Sequence, residues 1–250
     1  MKATEIHTAG LPLYIQISQS LLAQINSGEL APEERLPSER DLSNRLQVSR
    51  MTIRAALREL DSKGLLIRRP GDGTYISKPK IERYADKLVP FTVSMKSRGY
   101  QIGTKLIFFE QRLADVSVAK DLQIPVSTPV YYCQRLRLIN QEPVLLENCT
   151  VPTAIFPNFG EYDLEERSLY DIMESEYGVV PHHSEQSLEA VIATEFEAEL
   201  LNVETGAPLM MERRLAFDQN NRPFEYGNDF YRGDRFRFFT KIAPMERAGR

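Results

Sequence analysis

Basic side chains recur through one stretch of the chain: Arg40, Arg45, Arg50, Arg54, Arg58, Lys63, Arg68 and Arg69. From residue 40 to 69 these eight meet three acids (Asp41, Glu59, Asp61), a local charge of +5 in a chain of net charge -4. Guanidinium groups at that density suit a phosphate backbone, whose counterions they displace. The bland alternative is a solvated helix face with ordinary charge decoration. A second constellation lies in VYYCQRLRLINQEPVLLENCTV, where Arg135 and Arg137 share one strand face because side chains alternate with period two. A turn of about three residues near Asn140 and Gln141 sets Arg135 opposite Glu147 and Cys133 opposite Cys149. Two arginines and a glutamate can clamp an anion and accept a hydroxyl. On a wet surface they are a cross-strand ion pair worth under about 1 kcal/mol.

Other reactive groups lack company. His182 and His183 adjoin Pro181 in a segment that reads as a loop, with no third metal ligand at sensible spacing. Cys133 and Cys149 have no activating base nearby and read as buried thiols, too few for a disulfide framework. No Gly-rich phosphate loop and no Ser/His/Asp or Cys/His set is visible, so no catalytic residue, metal or cofactor is expected. The cluster Phe230, Tyr231, Phe236, Phe238 and Phe239 reads as core or interface before it reads as a ligand cage.

The elements that must hold the first set of arginines are short. Pro12 suits a helix start, and Leu13, Ile17, Leu21 and Ile25 follow until Gly28, which predicts a helix over 12–27. Ser38 with Asp41 resembles a capping box for a second helix with Leu42 and Leu46 inward. After a turn at Gln47 and Val48, Ser49 caps a third helix that buries Ile53, Leu57 and Leu60 and stops at Gly64. Two strand-like runs, 65–69 and 74–76, flank Pro70, Gly71, Asp72 and Gly73 as a hairpin wing. A recognition helix enters the major groove by its N-terminal turns, where Arg50 and Arg54 stand, and Arg40 is placed for the same groove or its rim.

Residues 77–90 read as a linker, and beyond them a weak repeat appears at an offset of about 80 residues. Leu122 answers Leu201, Pro129 answers Pro208, Arg135 answers Arg214 and Pro143 answers Pro223. Each copy is a short helix and a long hairpin, the second turning near Gln219–Arg222, which predicts a pseudo-twofold antiparallel sheet with helices packed on it. Thr92 and Ser168 are expected to cap short helices whose free N–H groups could grip a phosphate.

The frame agrees. At 250 residues with 42% hydrophobic content the chain suits two domains with cores of their own. No apolar run approaches a membrane span, and Met1–Gly10 lacks a secretory h-region, so a soluble, cytoplasmic protein is expected. Residues 1–80 carry 12 basic and 9 acidic side chains and residues 81–250 carry 19 and 26, so only the first part is built to approach DNA.

PLYIQISQSLLAQINSGEL and LPSERDLSNRLQVSRMTIRAALRELDSKGLLIRRPGDGTYI resemble the DNA-binding domain of the GntR family of bacterial transcription regulators. The likeness spans about residues 11–78 and includes the patterns P-S-E-R-x-L, V-S-R-x-T-x-R and G-x-G-T. It implies DNA contacts by Arg40, Arg50, Thr52, Arg54 and the wing Gly71, with the capping Ser49 among them. Met51 stands where relatives often have a hydroxyl residue, and Asp72 puts an acid in the wing. Residues 88–243 resemble the UTRA effector-binding domain of the HutC subfamily, similar in fold to chorismate lyase, through R-L-R, E-P-x-x-x-E, S-L-Y and P-F-E-Y. That resemblance implies phosphate contacts from the Phe91 and Thr92 backbone, Arg135, Arg137, Ser168 and Tyr170. It implies sugar contacts from Glu147, Glu225 and Tyr231.

The resulting expectation is an α+β protein with three parts. Residues 10–78 form a winged helix-turn-helix, 79–89 a linker, and 90–245 a chorismate-lyase-like effector-binding and dimerisation domain of antiparallel sheet and helices. Its function would be a homodimeric repressor of a sugar or amino-sugar operon, released from a pseudo-palindromic operator by a sugar phosphate. Two readings stay open: a regulator sensing another anion, such as a carboxylate or phosphonate, and a lyase-like enzyme. The effector, the operator and the regulated genes are not written in the sequence, nor is the choice between repressor and activator.

Overall fold

The computed structural model describes residues 10–69, 71–86 and 88–241. Pro70 of the wing, Lys87 of the linker and residues 242–245 of the expected second domain lie outside the described residues. The chain divides into two compact units, Met1–Lys80 and Ile81–Arg250.

In the first unit, α1 (Leu13–Ser27) begins after Pro12, whose fixed φ suits a helix entry, and closes on Gly28 at φ +77°. Helix α2 (Glu39–Leu46) is capped by Ser38, whose hydroxyl accepts from the Asp41 N–H at 3.2 Å. Helix α3 (Arg50–Ser62) is capped in the same way by Ser49, which accepts from the Thr52 N–H at 3.1 Å. Ile53, Ala56, Leu57 and Leu60 of α3 meet Ile17, Leu21 and Leu42 in one core. Each such Leu or Ile side chain contributes roughly 2 kcal/mol on burial, which fixes the rotation of α3 and turns its remaining faces outward. Gly64, at φ +68°, ends the helix and leads to the hairpin β1 (Leu66–Arg69) and β2 (Gly73–Ile76).

The second unit holds β3 (Ile81–Tyr84), α4 (Phe91–Lys96), β4 (Ile102–Leu113), α5 (Val116–Asp121), β5 (Pro129–Ile139) and β6 (Glu142–Pro152). It continues with α6 (Leu169–Tyr177), β7 (Pro181–Ile192), α7 (Glu195–Leu201), β8 (Pro208–Asp218), β9 (Pro223–Arg232) and β10 (Phe236–Phe239). Six strands form one antiparallel sheet in the order β4-β5-β6-β9-β8-β7. The repeat noted in the sequence is visible as two copies of strand, short helix and hairpin, which meet where β6 pairs with β9. Helix α6 packs on one face against Cys133, Cys149 and Phe224, while α7 packs on the other against Leu136 and Leu146.

Four expectations change. The linker 79–89 contains a strand, β3, which runs parallel to β10 with Ile81 buried beside Phe236; its partner lies so far along the chain that no local pattern betrays it. The first hairpin turns in two residues, since Asn140 (φ +50°) and Gln141 (φ +68°) both adopt the left-handed conformation that a tight turn needs. A bulge between Arg137 and Leu138 takes up the third residue and restores the expected pairing of Arg135 with Glu147 and Cys133 with Cys149. Thr92 does not cap α4: Pro90 does, and Thr92 sits inside the first turn. His182 and His183 lie in β7, not a loop; Pro181 is tolerated because it opens an edge strand, and His183 stacks on Phe217 at 4.6 Å.

Candidate functional site: a basic helix face and a buried ion-pair cleft

Arg40, Arg50 and Arg58 are exposed, as is Met51, so the outer face of the helix pair presents guanidinium groups to solvent. Ser49 and Thr52 share a hydroxyl contact of 2.8 Å at the N-terminus of α3. Arg54 differs from its neighbours: its Nη2 donates to Glu39 Oε2 at 2.9 Å and its Nε to the same oxygen at 3.2 Å. That hydrogen bond holds the Glu39 carboxyl below its usual value and ties α3 to α2. In the wing, Gly71 adopts φ +75°, a left-handed conformation that glycine takes at no steric cost. The acid that the sequence places there is engaged: the Tyr75 hydroxyl donates to Asp72 Oδ2 at 2.7 Å, and Arg35 donates to the Asp72 carbonyl.

In the second unit a single cleft gathers all nine residues singled out there: Phe91, Thr92, Arg135, Arg137, Glu147, Ser168, Tyr170, Glu225 and Tyr231. Its cavity is small, about 40 Å³. The sheet provides the floor. Glu147 Oε2 accepts from Arg135 Nε at 2.9 Å, from Arg135 Nη2 at 2.5 Å and from Arg137 Nη1 at 3.0 Å. Arg135 is 1% exposed and spends Nη1 on the Leu164 and Arg167 carbonyls. Arg137 reaches the other wall, donating from Nη2 to Thr92 Oγ1 at 2.6 Å with its guanidinium 4.9 Å from the Phe91 ring centroid. Its Nε is buried with no hydrogen-bond partner. Burial alone would raise the Glu147 carboxyl; the two guanidiniums overcome it and hold that pKa at about 2.

Three further charged residues of the cleft were not anticipated: Arg83, Arg214 and Asp229. Arg214 donates to Glu225 Oε1 at 2.8 Å and to Asp229 Oδ2 at 3.1 Å, and Tyr170 donates its hydroxyl to Glu225 Oε2 at 2.6 Å. Arg83, on β3, pairs with Glu212 at 3.1 Å and lies over the Tyr231 ring. Burial pushes the Asp229 carboxyl up to about 7, with Glu147, Glu212 and Glu225 adding to the rise and Arg214 opposing it. The repeat carried the signal for Arg214, because it is the counterpart of Arg135; Arg83 was hidden in the apparent linker. The cleft therefore has a guanidinium-rich end at Arg135 and Arg137 and a carboxylate-rich end at Glu225 and Asp229. Such a pair of poles suits a small molecule with an anionic group at one end and hydrogen-bond donors at the other. Both cysteines are buried, Cys133 with its thiol pushed up to about 12, so neither is a nucleophile. Tyr231 packs edge-on against Phe236 and Phe238, so most of the aromatic cluster is core.

Comparison with known proteins agrees with both halves. Residues 13–76 match the family described as "Bacterial regulatory proteins, gntR family", and residues 97–237 match the UTRA domain. The HTH-type transcriptional repressor NagR of Bacillus subtilis is 36% identical over 228 residues, covering 91% of this chain and 93% of that protein. The mannosyl-D-glycerate transport/metabolism system repressor MngR of Escherichia coli is 31% identical, covering 94% of this chain and 97% of that protein. Among solved structures, PhnF from Mycobacterium smegmatis superposes with a TM-score of 0.65 at 27% identity, covering 91% of this chain and all of that one.

Proposed function

Because the chain belongs to the GntR family of bacterial transcription regulators, with a UTRA domain behind its DNA-binding head, we propose that it is a homodimeric repressor of a sugar or amino-sugar utilisation operon. It leaves a pseudo-palindromic operator when a phosphorylated sugar occupies the cleft. Two copies are needed because a single small head rarely supplies enough specific affinity, and half-sites in a palindrome match a twofold dimer. On each head, Arg50 with Ser49 and Thr52 approaches base edges or phosphates from the N-terminus of α3. Arg40 and Arg54 flank it, and the Gly71 tip follows the sugar-phosphate edge.

The observation that carries the effector class is the convergence of Arg135 and Arg137 on one carboxylate oxygen beside Thr92 and the N-terminus of α6 at Ser168. Three donor-rich elements aimed at one place make an anion site. The Glu147, Glu225 and Tyr231 end then takes the sugar hydroxyls. MngR, a repressor of a mannosyl-D-glycerate transport/metabolism system, supports this reading. A cavity of about 40 Å³ is narrow for a hexose phosphate, and in this reading the walls part to admit it. An effector that prefers the parted form shifts the population toward it, which is the coupling a repressor needs.

The test is a gel shift on the gene's own upstream region with a panel of sugar phosphates, free sugars and carboxylates. Release by a sugar phosphate at micromolar to millimolar concentration, with no release by the other compounds, is the expected result. Release by carboxylates alone overturns the effector class, and failure to bind any upstream palindrome overturns the repressor.

A further inference from the structure

The sheet has a second working face. Side chains alternate across it, so while Arg135, Arg137 and Glu147 point to the cleft, Tyr132, Gln134, Asn148, Thr150, Tyr226 and Asn228 point the other way. Helices α5 and α7 cover the flanks of that face, α5 over Val130 and Leu215, α7 over Leu136 and Leu146. Between them runs an open trench of about 360 Å³, within the size range of small-molecule sites and several times the cleft.

The floor of this trench is built from amides and hydroxyls. Gln134 Nε2 and the Tyr132 hydroxyl each donate to Asn148 Oδ1 at 2.8 Å, and Asn148 Nδ2 donates to the Asn228 carbonyl. Gln134, Asn148 and Thr150 are more than nine-tenths buried, while Asn228 Oδ1 is buried and accepts from nothing. A buried acceptor without a donor costs free energy unless a ligand or water supplies one. The charged groups at the rim are already engaged: Arg112 lies 4.0 Å over the Tyr132 ring, Asp115 caps α5 and Glu197 closes the capping box of α7. Burial raises the Tyr132 and Tyr226 hydroxyls, so both remain neutral donors. What is left to meet a ligand is uncharged hydrogen-bonding capacity flanked by the rings of Tyr226 and Phe230.

That chemistry does not attract an anion, and an apolar guest would strand the buried amides. Paired donors and acceptors beside flat aromatic faces complement a molecule bearing hydroxyls on one side and C–H groups on the other. We propose that this trench is a second ligand site, which takes a neutral polyhydroxylated compound such as an unphosphorylated sugar. The backbone N–H of Asn148 donates to Asp229 Oδ1 at 3.0 Å, so the floor of the trench is hydrogen-bonded to a wall residue of the cleft. The inference stands independently of which anion the cleft accepts.

Titrating the full-length protein with free hexoses and an N-acetylhexosamine, none phosphorylated, tests it by calorimetry and by amide NMR. The side-chain amide signals of Gln134, Asn148 and Asn228 should shift while the Arg135 and Arg137 Nε–H signals stay in place. Asn228→Leu and Tyr226→Phe should each weaken binding about tenfold, the cost of one lost hydrogen bond in a desolvated site, with thermal midpoints reporting that the fold is intact. Three results overturn the proposal: no binding by any probe at tens of millimolar, shifts confined to the cleft arginines, or affinity unchanged in both trench variants. Burial of the trench by a second copy, seen as concentration-dependent protection that sugars do not relieve, overturns it as well.

Discussion

Arg214 faces Gly227 across the β8–β9 hairpin, whereas its counterpart in the first repeat, Arg135, faces Glu147. A Cβ at Gly227 would stand 2.9 Å from Arg214 Nη2, so the absence of a side chain there lets the guanidinium lie along the sheet and reach Glu225 and Asp229. The two halves thus use one arginine position differently: one arginine is pinned by a carboxylate directly opposite, the other is free to gather carboxylates along its own hairpin.

Replacing Gly227 by alanine should push Arg214 off Glu225. Overpacking a buried site of this kind costs about 1–3 kcal/mol, read as a lower thermal midpoint. The same variant should need about tenfold more effector for operator release, since Glu225 and Tyr170 lose their shared anchor. An unchanged midpoint with unchanged release would remove Arg214 from the cleft's machinery.

Glu147 links stability to acid. Its folded pKa of about 2 lies below the ordinary 4.5, so its contribution is complete above pH 4.5 and is lost as pH falls through 2. A shift of that size is worth about 3 kcal/mol. Acid unfolding of Glu147→Gln should show a shallower loss of stability between pH 4.5 and 2 than the parent. The variant should also be less stable at neutral pH, because two buried guanidiniums lose their shared counter-charge.

Asp229 runs the other way. With its folded pKa raised from 3.8 to about 7, the native state holds a proton that the unfolded state has lost. The stabilisation is therefore complete below pH 3.8 and is lost as pH rises to 7. Urea midpoints measured at pH 5.5 and pH 8 should favour the lower pH, and Asp229→Asn should flatten the difference. A parent protein with no such slope would place Asp229 in a charged state stabilised fully by Arg214.

On the head, Arg50 and Arg54 should separate. Arg50→Ala removes an exposed guanidinium and should cost about 1–3 kcal/mol of operator affinity, with little effect on the melting of the head. Arg54→Ala also breaks the bidentate contact with Glu39 that joins α2 to α3, so it should lower thermal stability as well as affinity. Salt titrations tell base from phosphate contacts: a lost phosphate contact reduces the salt slope by about one, a lost base contact leaves it.

Much of the first unit was legible because its signals are local. Ser38 and Ser49 cap, Gly28 and Gly64 terminate, and the apolar spacing of Ile53, Leu57 and Leu60 sets the buried face. The pairing of Arg135 with Glu147 was legible too, although for a reason only half right: the turn is one residue shorter than expected and a bulge compensates. What escaped were relations set by distant parts of the chain. Arg83 enters the cleft only because β3 pairs with β10, and Asp229 is raised because the fold buries it, with Glu147, Glu212 and Glu225 adding to the rise. Thr92 shows the limit of capping rules, since Pro90 takes the position before the helix and leaves Thr92 free to receive Arg137.

The parallel pairing of β3 with β10 fixes an order of assembly. Glu82 lies opposite Arg237, so β3, which carries Arg83, has no strand partner until β10 has left the ribosome. The three-helix head, with its short-range contacts, is complete long before then, and domains of this size fold as they emerge. A nascent chain therefore carries a finished reader of DNA before it carries a finished sensor.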